Sequence, residues 1–133
     1  MHRLKQVKQM KQDSKHRYML VVDDDPIIRD MMVDILDFEG YSIRTARNGP
    51  EALEMLRGDE DYLVFLDLMM PGMSGKEVCA LLEAEPTLRR RHVIILMTAM
   101  DKPDEDMALW VDGTILKPFT VNEVLEMVEP YVG

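Results

Sequence analysis

The chain has 133 residues, 47% of them hydrophobic, and carries 25 acids against 16 Lys and Arg for a net charge of −9. That composition suits one domain with a real core and argues against wholesale disorder, while the acidic surplus argues against direct binding to a nucleic-acid backbone. A single cysteine, Cys79, allows neither an intramolecular disulfide nor a cysteine metal cluster. With no apolar run near the ~20 residues of a membrane span and no secretory signal, no membrane contact and a cytoplasmic location are expected.

In chain order, residues 1–17 come first as a basic extension, with Arg3, Lys5, Lys8, Lys11, Lys15 and Arg17 against one acid, Asp13. Leu4, Val7 and Met10 form one thin apolar line there. A solvated extension is the plain reading, and a docking arm for an acidic partner or a neighbouring subunit of a homodimer is the sharper one. From residue 18 to 133 the pattern alternates regularly. Tyr18–Val22 reads as a buried strand, and Pro26 starts a helix with Ile27, Ile28, Met31, Met32, Ile35, Leu36 and Phe38 at helical spacing. Gly40 is its expected C-terminal cap. Tyr41–Ala46 reads as a second strand, Asn48-Gly49 as a turn, and Pro50 as the opening of a helix lined by Ala52, Leu53 and Leu56.

Tyr62–Leu66 is continuously apolar, as suits a central parallel strand covered on both faces. A Pro/Gly/Ser loop leads into a third helix lined by Val78, Leu81 and Leu82, with Cys79 packed as a small apolar residue. Arg89, Arg90 and Arg91 read as a solvated turn and His92 as a surface residue, before a fourth strand over Val93–Met97. Residues 104–110 allow only a short fourth helix. A fifth strand closes at Leu116, and Thr120 with Glu123 has the spacing of a capping box before a helix faced by Val121, Val124, Leu125 and Val128. Five strand–helix alternations predict an α/β domain with a parallel sheet between two helical layers.

The polar residues that close these strands carry the chemistry. Asp23, Asp24 and Asp25 end the first, Asp67 the third, Thr98 the fourth and Lys117 the fifth. Ligands of open α/β sheets bind outside the carboxyl ends of the strands, so remote positions are expected to converge there. Clustered carboxylates repel, by about 4 kcal/mol at ~4 Å and an effective dielectric of 20, and relax by holding a proton or a cation. All-oxygen donors favour Mg²⁺. Asp67 is then a candidate nucleophile toward a phosphoryl group, with Lys117 as a point charge and Thr98 as a hydroxyl donor to the phosphoryl oxygens. Taken singly, each has an ordinary reading: a helix cap for Asp25, a loop carboxylate for Asp67, a common turn pair for Lys117-Pro118.

The stretches VVDDDPIIRDMM (21–32), LVFLDLMMPGMSG (63–75), VIILMTAM (93–100) and LKPFT (116–120) resemble the receiver domain of two-component response regulators. The resemblance covers Tyr18 to about Tyr131. It implies a flavodoxin-like, three-layer (βα)5 fold with strand order 2-1-3-4-5. It implies a phosphoacceptor at Asp67, charged from a phosphohistidine on a sensor histidine kinase or phosphotransfer protein. It implies Mg²⁺ held by Asp24, Asp67 and the Met69 backbone carbonyl, with Asp23 acting through water. Lys117 is implied to pair with phosphorylated Asp67, and the Lys117–Pro118 peptide to be cis. Thr98 is implied to move toward the phosphoryl group and repack the face of helix 4, strand 5 and helix 5, which a downstream protein reads.

Two features depart from the family pattern. Thr114 stands three residues before the lysine, where Tyr or Phe is common, and the Thr98–Lys117 segment is short, truncating helix 4 and leaving Trp110 at a position where a small residue is usual. Trp110 is expected either to cover core or to relay the switch, and Met69 and Met100 to shield the acyl phosphate from water. Because the chain stops after the last helix, a stand-alone receiver domain is expected, with catalysis limited to phosphoryl transfer to and from Asp67. The alternative is a phosphorylation-independent docking module on the same fold. A Mg²⁺-dependent phosphohydrolase is disfavoured by Met69, where a second acid would stand, and a nucleotide-binding protein by the absence of a glycine-rich loop after strand 1.

Overall fold

A computed structural model describes residues 17–99 and 104–132. Residues 1–16 of the basic extension (1–17) and Met100 lie outside the described residues, while Arg17 is the first residue of the first strand. Five strands, β1 (Arg17–Val22), β2 (Ile43–Ala46), β3 (Asp61–Asp67), β4 (Val93–Thr98) and β5 (Gly113–Leu116), form one sheet in the order β2-β1-β3-β4-β5, every pair parallel. Among the described residues, five helices lie between the strands, α1 (Pro26–Phe38), α2 (Gly49–Leu56), α3 (Gly75–Glu83), α4 (Pro86–Arg89) and α5 (Glu105–Trp110), and a sixth, α6 (Val121–Val132), follows β5. The expected flavodoxin-like (βα)5 fold is therefore present, and the truncated fourth helix is α5, of six residues. The extra single turn α4 was not expected from the sequence.

Side chains alternate across each strand, so the sheet has two apolar faces. Leu20, Val22, Val64, Leu66, Ile94 and Leu96 pack with Ala52 and Leu56 of α2, Val78, Cys79 and Leu82 of α3, and Met107 of α5. Met19, Val21, Leu63, Phe65, Ile95 and Met97 pack with Met32 and Leu36 of α1 and Val124, Val128 and Val132 of α6. Both faces of β3 and β4 are covered, which is why their sequences are apolar without alternation. None of the helices, among the described residues, is long and apolar enough to cross a membrane.

Several local expectations are corrected. Strand β2 begins at Ile43, because Tyr41 N–H bonds Leu36 O in the close of α1, where Gly40 takes φ +87°. Asn48 is less a turn than a helix cap, accepting from Glu51 N–H. Leu81 and Val121 stand largely exposed instead of facing the core, as do Ile27 and Phe38. His92 is buried, not on the surface: Nδ1 accepts from Tyr62 N–H at 3.0 Å, which leaves Nε2–H to donate to Leu56 O at 2.9 Å. Nor are the arginines simply a solvated turn. Arg91 donates to the Asp61 carboxylate, Gly58 O and Glu60 O, while Arg89 donates to His92 O, Trp110 O and Asp112.

Candidate functional site

The sheet register sets the site. Val22 pairs with Leu66, Asp67 with Met97 and Thr98 with Leu116, so residues 23, 67, 98 and 117 reach one level at the carboxyl edge. The parallel arrangement brings chain segments 94 residues apart to one edge, as Asp23 and Lys117 are.

Each element holds its side chain for a local reason. After β1 the chain turns into α1 with Asp25 as N-cap, accepting from Ile27 N–H at 2.9 Å, and Pro26 in the first turn. Asp23 is buried, and its Oδ1 accepts from Asp25 N–H at 2.9 Å. Arg29 reaches back from α1 and donates to the Asp23 backbone carbonyl at 2.7 Å. This anchor was not anticipated. Its only trace in the sequence is a cation six residues beyond the first acid, which helical geometry returns toward the turn. Asp24, by contrast, is exposed and faces solvent.

Asp67 ends β3 with only 4% of its surface exposed. The loop that follows must fold tightly back. Gly75 N–H bonds Leu68 O, and a Cβ at Gly75 would stand 2.5 Å from Asp67 O, so only glycine fits at that first residue of α3. Ser74 caps α3 by accepting from Glu77 N–H. Thr98 is buried at the end of β4, and its carbonyl accepts from Lys117 N–H at 2.8 Å, tying the fifth strand's end to the fourth. The Lys117–Pro118 peptide is cis, as expected. Met69 is largely exposed.

At the centre, Lys117 Nζ lies 2.9 Å from Asp23 Oδ2 and 3.2 Å from Asp67 Oδ1. One carboxylate oxygen from each of Asp23, Asp24 and Asp67 falls within 4.8 Å of the others. Opposite ligands of octahedral Mg²⁺ are about 4.2 Å apart, twice its bond length, so small side-chain adjustments suffice to fit such an ion. Hard oxygen donors, with no His or Cys in the group, match that choice. Burial, then the negative charge of Asp23, pushes the Asp67 carboxyl up to about 6, against the opposing pull of Lys117 and the Met69 N–H. For Lys117, burial would lower the ammonium, but its hydrogen bond to Asp23 and the two carboxylate charges outweigh this and raise it. The site is thus short of positive charge: one lysine faces three acids.

A doubly wound parallel sheet with an acid cluster and a lysine at its carboxyl edge defines the class of two-component phosphorelay signalling domains. The chain belongs to the response regulator receiver domain family, whose pattern matches residues 19–129. Among curated proteins it is similar to the response regulator MprA of Mycolicibacterium vanbaalenii, 37% identical over 110 residues that make 80% of this chain and 46% of that protein. It is also similar to the DNA-binding response regulator MtrA of Mycolicibacterium smegmatis, 34% identical over 118 residues, 87% of this chain and 50% of that one. The chain spans about half the length of the curated relatives it matches. Of solved structures, a CheY-like receiver domain protein from Methanospirillum hungatei JF-1 superposes with TM-score 0.79 at 28% identity, covering 89% of this chain and 95% of that one. The response regulator TrrA of Thermotoga maritima, in complex with Mg(2+)-BeF, superposes with TM-score 0.73 at 40% identity, covering 86% and 96%.

Proposed function

We propose that the domain accepts a phosphoryl group on Asp67 from a phosphohistidine of a sensor histidine kinase or phosphotransfer protein, and that Mg²⁺ is required. The observation that carries this reading is Lys117 Nζ spanning Asp23 and Asp67 beside the solvent-facing Asp24. Asp23, Asp24, Asp67 and the Met69 carbonyl hold the cation in this reading. When bound, Mg²⁺ supplies positive charge that neutralises carboxylate and phosphoryl oxygens.

The residues of the chain do the rest. Asp67, deprotonated, attacks phosphorus through a carboxylate oxygen as the bond to the donor imidazole nitrogen breaks, and the leaving imidazole keeps the electron pair and takes up a proton. Lys117 stays with the new acyl phosphate and covers one of its oxygens. The Thr98 hydroxyl donates to another and draws the end of β4 inward. Thr114 lines the groove between β5 and α6 that an aromatic would fill, so the rearrangement reaches that face with less bulk behind it.

Output is by contact with a downstream protein, without direct nucleic-acid or membrane contact by this domain, in the cytoplasm. The unit that acts is residues 18–133, with 1–17 as an appended extension. Whether it works by itself or inside a longer polypeptide, the acceptor step is the same. Outside self-directed phosphoryl transfer, no catalytic turnover is assigned to it.

Incubation with Mg²⁺ and a small phosphodonor, followed by intact mass, tests the reading. One phosphoryl unit should be gained by the native chain and none by Asp67→Asn. Equal gain in both overturns the acceptor, and no gain in either favours a phosphorylation-independent docking module.

A further inference from the structure

Between them, α1 and α6 leave an apolar groove open to solvent. It encloses about 340 Å³ and is lined by Asp34, Ile35, Phe38, Glu39, Val121 and Leu125. Phe38 is 82% exposed and Val121 52%, whereas Met32 and Leu36 of α1 and Val124, Val128 and Val132 of α6 are buried. An aromatic ring held in water at this level is stabilised when an apolar surface covers it. The surroundings specify the sign of the occupant. Asp30, Asp34, Asp37 and Glu39 lie on or just beyond α1, and Glu123, Glu126 and Glu129 on α6. The only cation on either helix, Arg29, is engaged with the Asp23 carbonyl. A suitable occupant is therefore basic, with a narrow apolar line.

Residues 1–16 of this chain have that chemistry: Arg3, Lys5, Lys8, Lys11 and Lys15 against Asp13, with Leu4, Val7 and Met10 three apart. Reach is favourable too. Met19 N–H bonds Ser42 O, so the chain enters β1 beside the residues that follow α1, at the end of that helix carrying Phe38. Even fully helical, 16 residues extend about 24 Å, and α1 with 13 residues about 20 Å. The arm is long enough to run beside the whole groove.

We infer that residues 1–16 fold back onto the α1–α6 groove of their own chain, placing Leu4, Val7 and Met10 against Ile35, Phe38 and Val121 and the lysines against the flanking acids. This docking stands apart from the acceptor chemistry and needs neither Mg²⁺ nor phosphoryl transfer.

The test uses the full chain with Gln9→Cys and a nitroxide attached there. Cys79 stays in place, because it is buried and its thiol is pushed up to about 12 by that burial, so labelling selects position 9. Amide signals of residues 35–39 and 121–125 should lose most of their intensity, while those of the β2–α2 turn keep theirs. Lys5→Glu/Lys8→Glu/Lys11→Glu in the labelled chain should restore the lost signals, as should Phe38→Ser. Unchanged intensities in the labelled native chain overturn the inference. So does broadening seen only when labelled chains are mixed with isotope-labelled, nitroxide-free ones, since the occupant is then a second copy.

Discussion

Asp67 is poised between a proton and a cation. Its carboxyl sits at about 6, where an ordinary aspartate lies near 3.8, chiefly because it is buried. The folded state therefore binds more protons than the unfolded one between those values, and stability falls as pH rises through that window. Above about pH 6 the metal-free protein carries the full cost of the charge, on the order of 1–3 kcal/mol from 1.36 kcal/mol per pH unit. Asp67→Asn should raise metal-free stability at pH 7.5 by that order and leave it nearly unchanged at pH 4. Binding of Mg²⁺ must displace the Asp67 proton, so affinity should be flat above pH 7 and weaken toward tenfold per unit below pH 6. Titration calorimetry across pH reads this directly; affinity independent of pH from 5 to 8 would refute it. At this scale the acids and Lys117 were legible because each closes an apolar run. His92 and Arg29 were not. The partners of His92 are the Leu56 carbonyl and Tyr62 N–H, 36 and 30 residues away, and an Arg-Arg-Arg-His string gives no hint that its last member is covered.

Among the elements, α5 is the one most distinctly held by polar ties. At its start Asp104 accepts from Met107 N–H and pairs with Lys76 Nζ at 2.6 Å. At its end Arg89 donates to Trp110 O and to Asp112, whose carboxylate also receives Ile94 N–H at 2.8 Å. Lys76 and Asp104 are exposed, so their pair adds little stability. Arg89 is only 15% exposed and joins α4, the end of α5 and the approach to β5. Arg89→Met should cost about 1.5–3 kcal/mol, the range for hydrogen bonds to a charged group, and speed amide exchange in residues 108–111. Unaltered exchange there would show that apolar packing alone seats the helix. Trp110 packs against the core beneath α2, α3 and α5 while remaining partly exposed, consistent with a covering role. The truncation of α5 was legible from segment length. The single turn α4 was not, because four residues leave no periodic trace, and exposed Phe38, Leu81 and Val121 show that helical spacing alone does not say which apolar residues the sheet reaches.

For the molecule as a whole, everything follows from a parallel sheet whose strand ends share one edge. The strand order was legible only through resemblance, since alternation of apolar runs gives layers but no order. The two-faced core then accounts for the continuous apolar strands, and the acids are carried where the sheet cannot bury them in apolar contact. The central claim is that one carboxylate at that edge, Asp67, is the phosphoacceptor. The most direct measurement is to phosphorylate with Mg²⁺ and a small donor, reduce the acyl phosphate with borohydride, and map the product by peptide mass. Conversion of residue 67 alone to homoserine, absent when Mg²⁺ is withheld, is predicted; modification at Asp23, Asp24 or elsewhere, with residue 67 untouched, would contradict the account.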